Sequence, residues 1–361
     1  MRKRILLLIL SSLLLCVCIL MFTSLFSNRQ LLSDLTHLTW QGTSFSSVTA
    51  KGEQTATQKV ESGTQLRVEN EFGNVKVQPA SDDSVHLSAD ISVSAVNASE
   101  AEQILSQVRV GWVQDGKQLR TQIDLPNLPS SIFSRAIRVN LTLSVPPEMS
   151  GVYSTQFGDV EISGLSGDVE VSNALGNITL AQLQGAVQAT SNSGEIHAEN
   201  LHTSGKVILQ SDFGNIQLSD VQAKQVSVEC VSGDVGVDGL SGDLQVSNNN
   251  GEIQVKDAQV GKLHLTSQNG DITFAGTLDD SQQHLIENAN GEISVTLPSD
   301  FAIQLDLNTN NGTIESDFAI ETLFNGDQSP QENAVKGKIN GGASGLLEIQ
   351  NQNGGITLSA Q

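Results

Sequence analysis

The residues in this sequence that could do chemistry are acidic and evenly spaced. Asp159, Asn177, Glu195, Asn215, Asp234, Glu252, Asp271, Glu292 and Thr313 each follow a glycine, and those glycines stand 18 to 21 residues apart from 158 to 312. Two chemistries suit such a row: divalent-cation binding, and an acid pair for hydrolysis. Calcium wants roughly six to eight oxygens converging on one point. A row repeating every ~4.8 Å supplies one or two per site. The calcium nonapeptide, Gly-Gly-x-Gly-x-Asp, is also missing. The row therefore reads as solvated turn carboxylates, with weak cation binding and catalysis as the sharper alternatives.

The other reactive side chains are scattered. His86, His197, His202, His264 and His284 fall at unrelated phases of the repeat, and His197 and His264 fall where strands are expected. Each reads as an ordinary strand histidine. Lys206, Lys224 and Lys262 occupy similar places in a second turn series and would form a mild basic stripe, most simply a solvated face. Cys230 stands alone after Cys16 and Cys18, too few to build a disulfide framework or a zinc site. It reads as a small, half-buried residue. No Ser–His–Asp spacing or phosphate-binding loop is present. No catalytic, cofactor-binding or metal-ligating residue is assigned, and no cofactor is expected.

The elements that carry these residues are a repeat. A small polar residue and two variable ones precede Gly, then come Asp, Glu or Asn and an apolar–polar–apolar triplet. Phe157-Gly158-Asp159-Val160-Glu161-Ile162 and Asn250-Gly251-Glu252-Ile253-Gln254-Val255 are good copies. A weaker series, Gly167, Gly185, Gly205, Gly242 and Gly261, lies halfway between. Each repeat thus holds two short strands with one buried face and two turns. Hairpins would favour variable registers. Near-constant spacing favours coils that stack, each strand pairing with its equivalent one turn on. Three residues before each strong glycine stand Thr155, Asn173, Ser191, Ser211, Cys230, Asn248, Ser267, Asn288 and Thr309. Stacking would align these into a hydrogen-bonded ladder.

The fold expected is all-β: a parallel β-solenoid (β-helix) of about 18–21 residues per coil, with an N-terminal α+β cap. Residues 1–27 read as a membrane anchor, because Arg2, Lys3 and Arg4 precede an uncharged apolar stretch from Ile5 to Phe26. As one transmembrane helix that stretch spans ~33 Å, against ~30 Å of hydrocarbon. The basic flank keeps the N-terminus cytoplasmic and the body outside. The rival is a cleaved signal peptide, for which Ser24-Leu25-Phe26-Ser27 is a poor cleavage site. Residues 28–58 read as a polar linker. Residues 59–150 read as the cap, with a copy of the motif at Asn70–Val77 and a helix near 99–110 started by Ser99. Residues 151–361 are the solenoid, with a polar insertion at 321–345, after which Asn353-Gly354-Gly355-Ile356 resumes the motif two repeats beyond Gly312.

Composition agrees with stacked repeats. Aromatics are 4% of the 361 residues while glycine numbers 32. A formal charge of −21 argues against DNA, RNA and adsorption to anionic lipid.

On Glu71-Phe72-Gly73-Asn74-Val75, the short helix near 100, Val145-Pro146-Pro147 and the Gly-Asp/Glu-Ile repeats, the chain resembles a bacterial family described only as putative adhesins. This is a β-strand-repeat domain of unknown function. The resemblance covers roughly residues 58–361. It implies an envelope-associated protein behind one membrane helix, and it brings no catalytic residues. The expected function is a non-enzymatic, extracytoplasmic, membrane-anchored scaffold or adhesin-like module that contacts an envelope protein or wall polymer. The alternatives are an accessory of envelope-stress signalling and a polysaccharide-acting enzyme on a β-helix.

Overall fold

The computed structural model describes residues 47–126, 137–322 and 333–361. The anchor expected at 1–27 lies outside them; among the described residues no helix is long and apolar enough to cross a membrane.

The triplets and glycine corners wind the chain as the spacing predicts. Gly151–Phe157, Val169–Leu175, Val187–Ser193 and Lys206–Phe213 stack in parallel on one face, in register along their length. Val160–Ser163, Ile178–Ala181 and Ile196–His202 stack in parallel on the second. Each coil turns from the first face to the second at its strong glycine. Gly214 shows why no other residue serves. Its φ is +139°, and an added Cβ would sit 2.2 Å from the Gly194 carbonyl oxygen one coil back.

The second corner differs from expectation. It turns not at the weaker glycines but at a row of left-handed residues: Gly164, Gln182, Asn200, Asp220, Gly239 and Asp257, with φ between +48° and +72°. Most are Gly, Asn or Asp, the types that tolerate this region. After them comes a short third side, with Leu165, Leu183, Leu201, Val221, Leu240 and Ala258 buried behind it. A coil is therefore a triangle with one short edge. Val, Ile and Leu from all three sides fill its interior; burial of each is worth ~2 kcal/mol, and no coil can bury them without its neighbours.

The N-terminal boundaries move. The first coil is Gln65–Phe72 and Val75–Pro79, docked on Gly151–Phe157 and Val160–Ser163, so a solenoid coil lies inside the region read as cap. The chain then leaves for residues 80–150 and returns. That excursion covers the open end: Ile137–Val145 pairs with Val75–Pro79, then Ser84–Ala95 and Val48–Lys59 follow antiparallel. The last of these corrects the linker reading over 48–58; residues 28–46 lie outside the described residues. Its exposed Thr and charged residues alternate with half-buried Ala50, Gly52, Gln54, Ala56 and Gln58, an order that composition alone does not reveal. On the other face the hairpin of Arg109–Asp115 and Gln118–Asp124 pairs with Gln65–Phe72. The helix α1, Ala98–Leu105, packs on Val48–Lys59 and Ser84–Ala95. It starts at Asn97 rather than Ser99: the Asn97 carboxamide oxygen accepts the Glu100 N–H at 2.9 Å.

The C-terminus departs most from the expected order. Leu346–Asn353 pairs on one side with Gln283–Asn290 and on the other with Ile303–Asn311. Ile356–Ala360 likewise lies between Ile293–Leu297 and Ile314–Ser316. The last coil in sequence is thus the penultimate coil in space. Ala334–Ile339, inside the 321–345 insertion, pairs antiparallel with Ile303–Asn311 and covers the far end.

Candidate functional surface

Stacking brings the acidic row together and gives its Asp and Asn members a structural task. The Asp159 carboxylate accepts the Asn177 N–H (2.9 Å), Asp234 accepts that of Glu252 (2.9 Å), and Asp271 accepts that of Glu292 (2.8 Å). Asn74, Asn177 and Asn215 do the same through their carboxamide oxygens. Each of these Asp and Asn side chains ties its corner to the next coil, in charge-assisted form where it is ionised. Among the described residues no cluster of three His, Cys, Asp or Glu is placed to hold a metal ion.

The small polar residues align as expected, buried inside the corner. The Asn and Thr members form the hydrogen-bonded ladder, whereas the buried Ser211 and Ser267 hydroxyls have no partner among the described residues. Asn173 donates to the Gly158 carbonyl at 3.0 Å, Asn248 to Gly233 at 3.0 Å, Asn288 to Gly270 at 3.0 Å and Asn351 to Gly291 at 2.8 Å. Cys230 sits in the same row, its Sγ 3.6 Å from the Gly214 and Gly233 carbonyl oxygens. The ladder satisfies carbonyls that the glycine corner turns away from the strand ladder. The lysines do not form a stripe: Lys206 pairs with Gln225 and Gln225 with Asp243, leaving Lys224 in a different row.

His197 and His264 point outward near Glu199 (3.5 Å) and Glu287 (3.8 Å). His284 is the exception to the ordinary-histidine reading. It is buried beneath the corner at 279–284; its Nδ1 accepts the Leu263 N–H (3.3 Å) and its Nε2 donates to the Asp279 carbonyl (2.8 Å). Only the neutral ring satisfies both bonds. Burial holds its pKa below the usual 6.5, so the unfolded chain takes up this proton first. Stability should therefore fall as pH drops through 6.5 toward the lowered folded value. Melting temperatures of the wild type and His284→Gln, measured between neutral and mildly acidic pH, check this: the wild type should lose more, and equal losses would refute it.

What the stack leaves exposed is the row just before each glycine. Its first members are apolar: Phe72, Phe157, Leu175 and, two coils on, Phe213. Phe72 and Phe157 stack with centroids 4.9 Å apart. Phe213 is 61% exposed and Leu175 47%. The apolar end borders a groove of about 550 Å³ formed by the described residues, with Phe72, Ile123, Leu125 and Val139 in its walls and Glu69 and Glu71 at its rim. Further along, the row changes to Asn250, Asn269, Asn290, Asn353 and Asn311, whose carboxamides bond to one another at 2.8–3.1 Å. This surface was missed because each residue lies beside the motif's glycine, where only stacking shows that like side chains meet.

In-register parallel coils with a glycine corner, a buried polar ladder and an end-capping excursion define a parallel β-solenoid. The chain belongs to the Toastrack family, a domain of unknown function (DUF4097), whose model matches residues 64–359. Three solved structures are similar to it. One is described as a putative adhesin from Bacteroides fragilis (14% identity, 86% of this chain and 98% of that one, TM-score 0.33). Another is a putative lipid binding protein from Parabacteroides distasonis (14%, 85% and 96%, TM-score 0.34). The third is a putative cell adhesion protein from Clostridium sporogenes (12%, 86% and 100%, TM-score 0.22). At these values they bear on neither ligand nor partner. No curated protein sequence matches.

Proposed function

We propose that the chain is a non-enzymatic interaction scaffold of the bacterial cell envelope, held to the membrane by residues 1–27, with its solenoid outside. The observation that carries this reading is the exposed apolar row on an otherwise polar, rigid stack. Leu175 and Phe213 gain nothing for the fold by facing water, and exposed apolar rows of this kind mark contact surfaces. Asp159, Asp234 and Asp271, three of the acidic groups that would serve an enzyme, hold backbone N–H groups instead. The rim of Glu69 and Glu71 and the charge of −21 favour a partner that is basic around an apolar anchor.

The test is capture of envelope proteins and wall polymers by the full-length chain, compared with a Phe157→Ser/Phe213→Ser variant. Both positions are exposed, so folding should survive. Binding should weaken about tenfold or more if the two rings anchor the contact. An empty wild-type capture, or equal capture by the variant, would sink the proposal.

A further inference from the structure

The exposed amide ladder has a chemical property that its corners control. Asn250, Asn269, Asn290, Asn353 and Asn311 are each followed by glycine. Asn-Gly is the dipeptide most open to self-cyclisation, because glycine places no side chain in the way of ring closure. The backbone nitrogen of glycine attacks the asparagine Cγ and loses its proton. The new N–Cγ bond closes a succinimide as the Cγ–Nδ2 bond breaks and ammonia leaves. Water then opens the ring at either carbonyl, giving aspartate or isoaspartate.

Four of the five sites are blocked at the nucleophile. The N–H of Gly251 donates to the Asn269 carbonyl (2.9 Å), Gly270 to Asn290 (2.9 Å), Gly291 to Asn353 (3.0 Å) and Gly354 to Asn311 (3.0 Å). Each of those four nitrogens is held in the stack by the coil beyond it. Their electrophiles are held too, since each of those four carboxamide oxygens accepts the next Nδ2 along the ladder. Asn311 is the end of the row. Its Nδ2 donates to Asn353 at 2.8 Å, but no further coil accepts the Gly312 N–H among the described residues. Asn311 and Gly312 are both exposed, whereas Gly251, Gly270, Gly291 and Gly354 are half-buried. Gly312 also lacks the left-handed φ that fixes its four counterparts. Of the two further Asn-Gly pairs, Asn325-Gly326 lies outside the described residues, and Asn340-Gly341 has its carboxamide pinned to the Ser299 and Phe301 carbonyls at 3.0 and 2.9 Å.

We propose that Asn311 is a self-modification site: it deamidates through a succinimide with Gly312, while the stack protects the same dipeptide at 250, 269, 290 and 353. The product places a new negative charge at the outer end of the ladder and removes the donor that Asn353 Oδ1 uses there.

The test is prolonged incubation of the folded full-length protein at mildly alkaline pH, followed by peptide mapping with fragment-level localisation and isoaspartate detection. Asn311 should convert about tenfold or more faster than the other four, a barrier difference of about 1.4 kcal/mol. In denaturant the five rates should converge, since each asparagine then has the same next residue. Asn311→Gln should abolish the signal at that position, because a glutamine side chain forms the larger ring slowly. Equal rates in the folded protein would overturn the proposal, as would four sites that stay slow after unfolding.

Discussion

Deleting residues 346–361 should undo more of the protein than it removes. The deleted segment supplies four fully buried aliphatics, Leu347, Ile349, Ile356 and Leu358. At ~2 kcal/mol each, their burial alone is on the order of 8 kcal/mol, comparable with the whole stability of a typical domain. The larger effect is indirect. Ile303–Asn311 and Ile314–Ser316 rest on the deleted strands, not on Gln283–Asn290 and Ile293–Leu297. Without Leu346–Asn353 and Ile356–Ala360 they have no parallel neighbour, and Ile303, Leu305 and Leu307 lose that cover. Limited proteolysis should cut the shortened chain readily from about residue 298 onward and leave the full-length chain intact there. The newly exposed strand edges should also promote aggregation. If residues 303–316 stay as protected as in the full chain, residues 346–361 are not what holds them.

Gly214→Ala should be among the most damaging single substitutions in the molecule. The new methyl would meet the Gly194 carbonyl carbon and oxygen, at 2.7 and 2.2 Å, in a backbone region closed to alanine. Backbone strain of this kind costs ~1–3 kcal/mol, and the forced opening of the corner adds to it. A loss of about 4 kcal/mol is expected in chemical denaturation. Asp212→Ala, two residues away on the exposed side, should cost less than about 0.5 kcal/mol. Matching midpoints for the two variants would mean that the corner can relax and that glycine is not required there.

The stacked body was legible in the sequence because its constraints repeat. A glycine whose Cβ would strike the previous coil recurs at every turn of the stack, and so does the buried residue three places earlier. Asn173, Asn248 and Asn288 sit where that register put them. The second corner was hidden because several residue types meet its demand for positive φ: Gln182, Asn200, Asp220 and Gly239 share no letter. Val48–Lys59 was hidden for the opposite reason. A strand at the sheet edge over a thin cap needs little apolar surface, so its Thr-Ala-Thr alternation looks like a spacer. The order of the last coils was not readable at all. Asn353-Gly354 fits a slot beside Gly291 as well as one beyond Gly312, and only pairing with both decides between them. The apolar row followed the same logic: Phe157 and Phe213 are unremarkable letters until the coils between them bring their edges into line.

The position of Leu346–Asn353 also governs the order in which the molecule can be assembled. A ribosome delivers the chain from its N-terminus, and a simple spring can close turn by turn behind it. This one cannot. The strands ending at Leu297 must wait with an unfilled edge while the outermost turn is made ahead of the turn that supports it. Completion is therefore a late, long-range closure whose trigger is the arrival of Leu346–Asn353 and Ile356–Ala360.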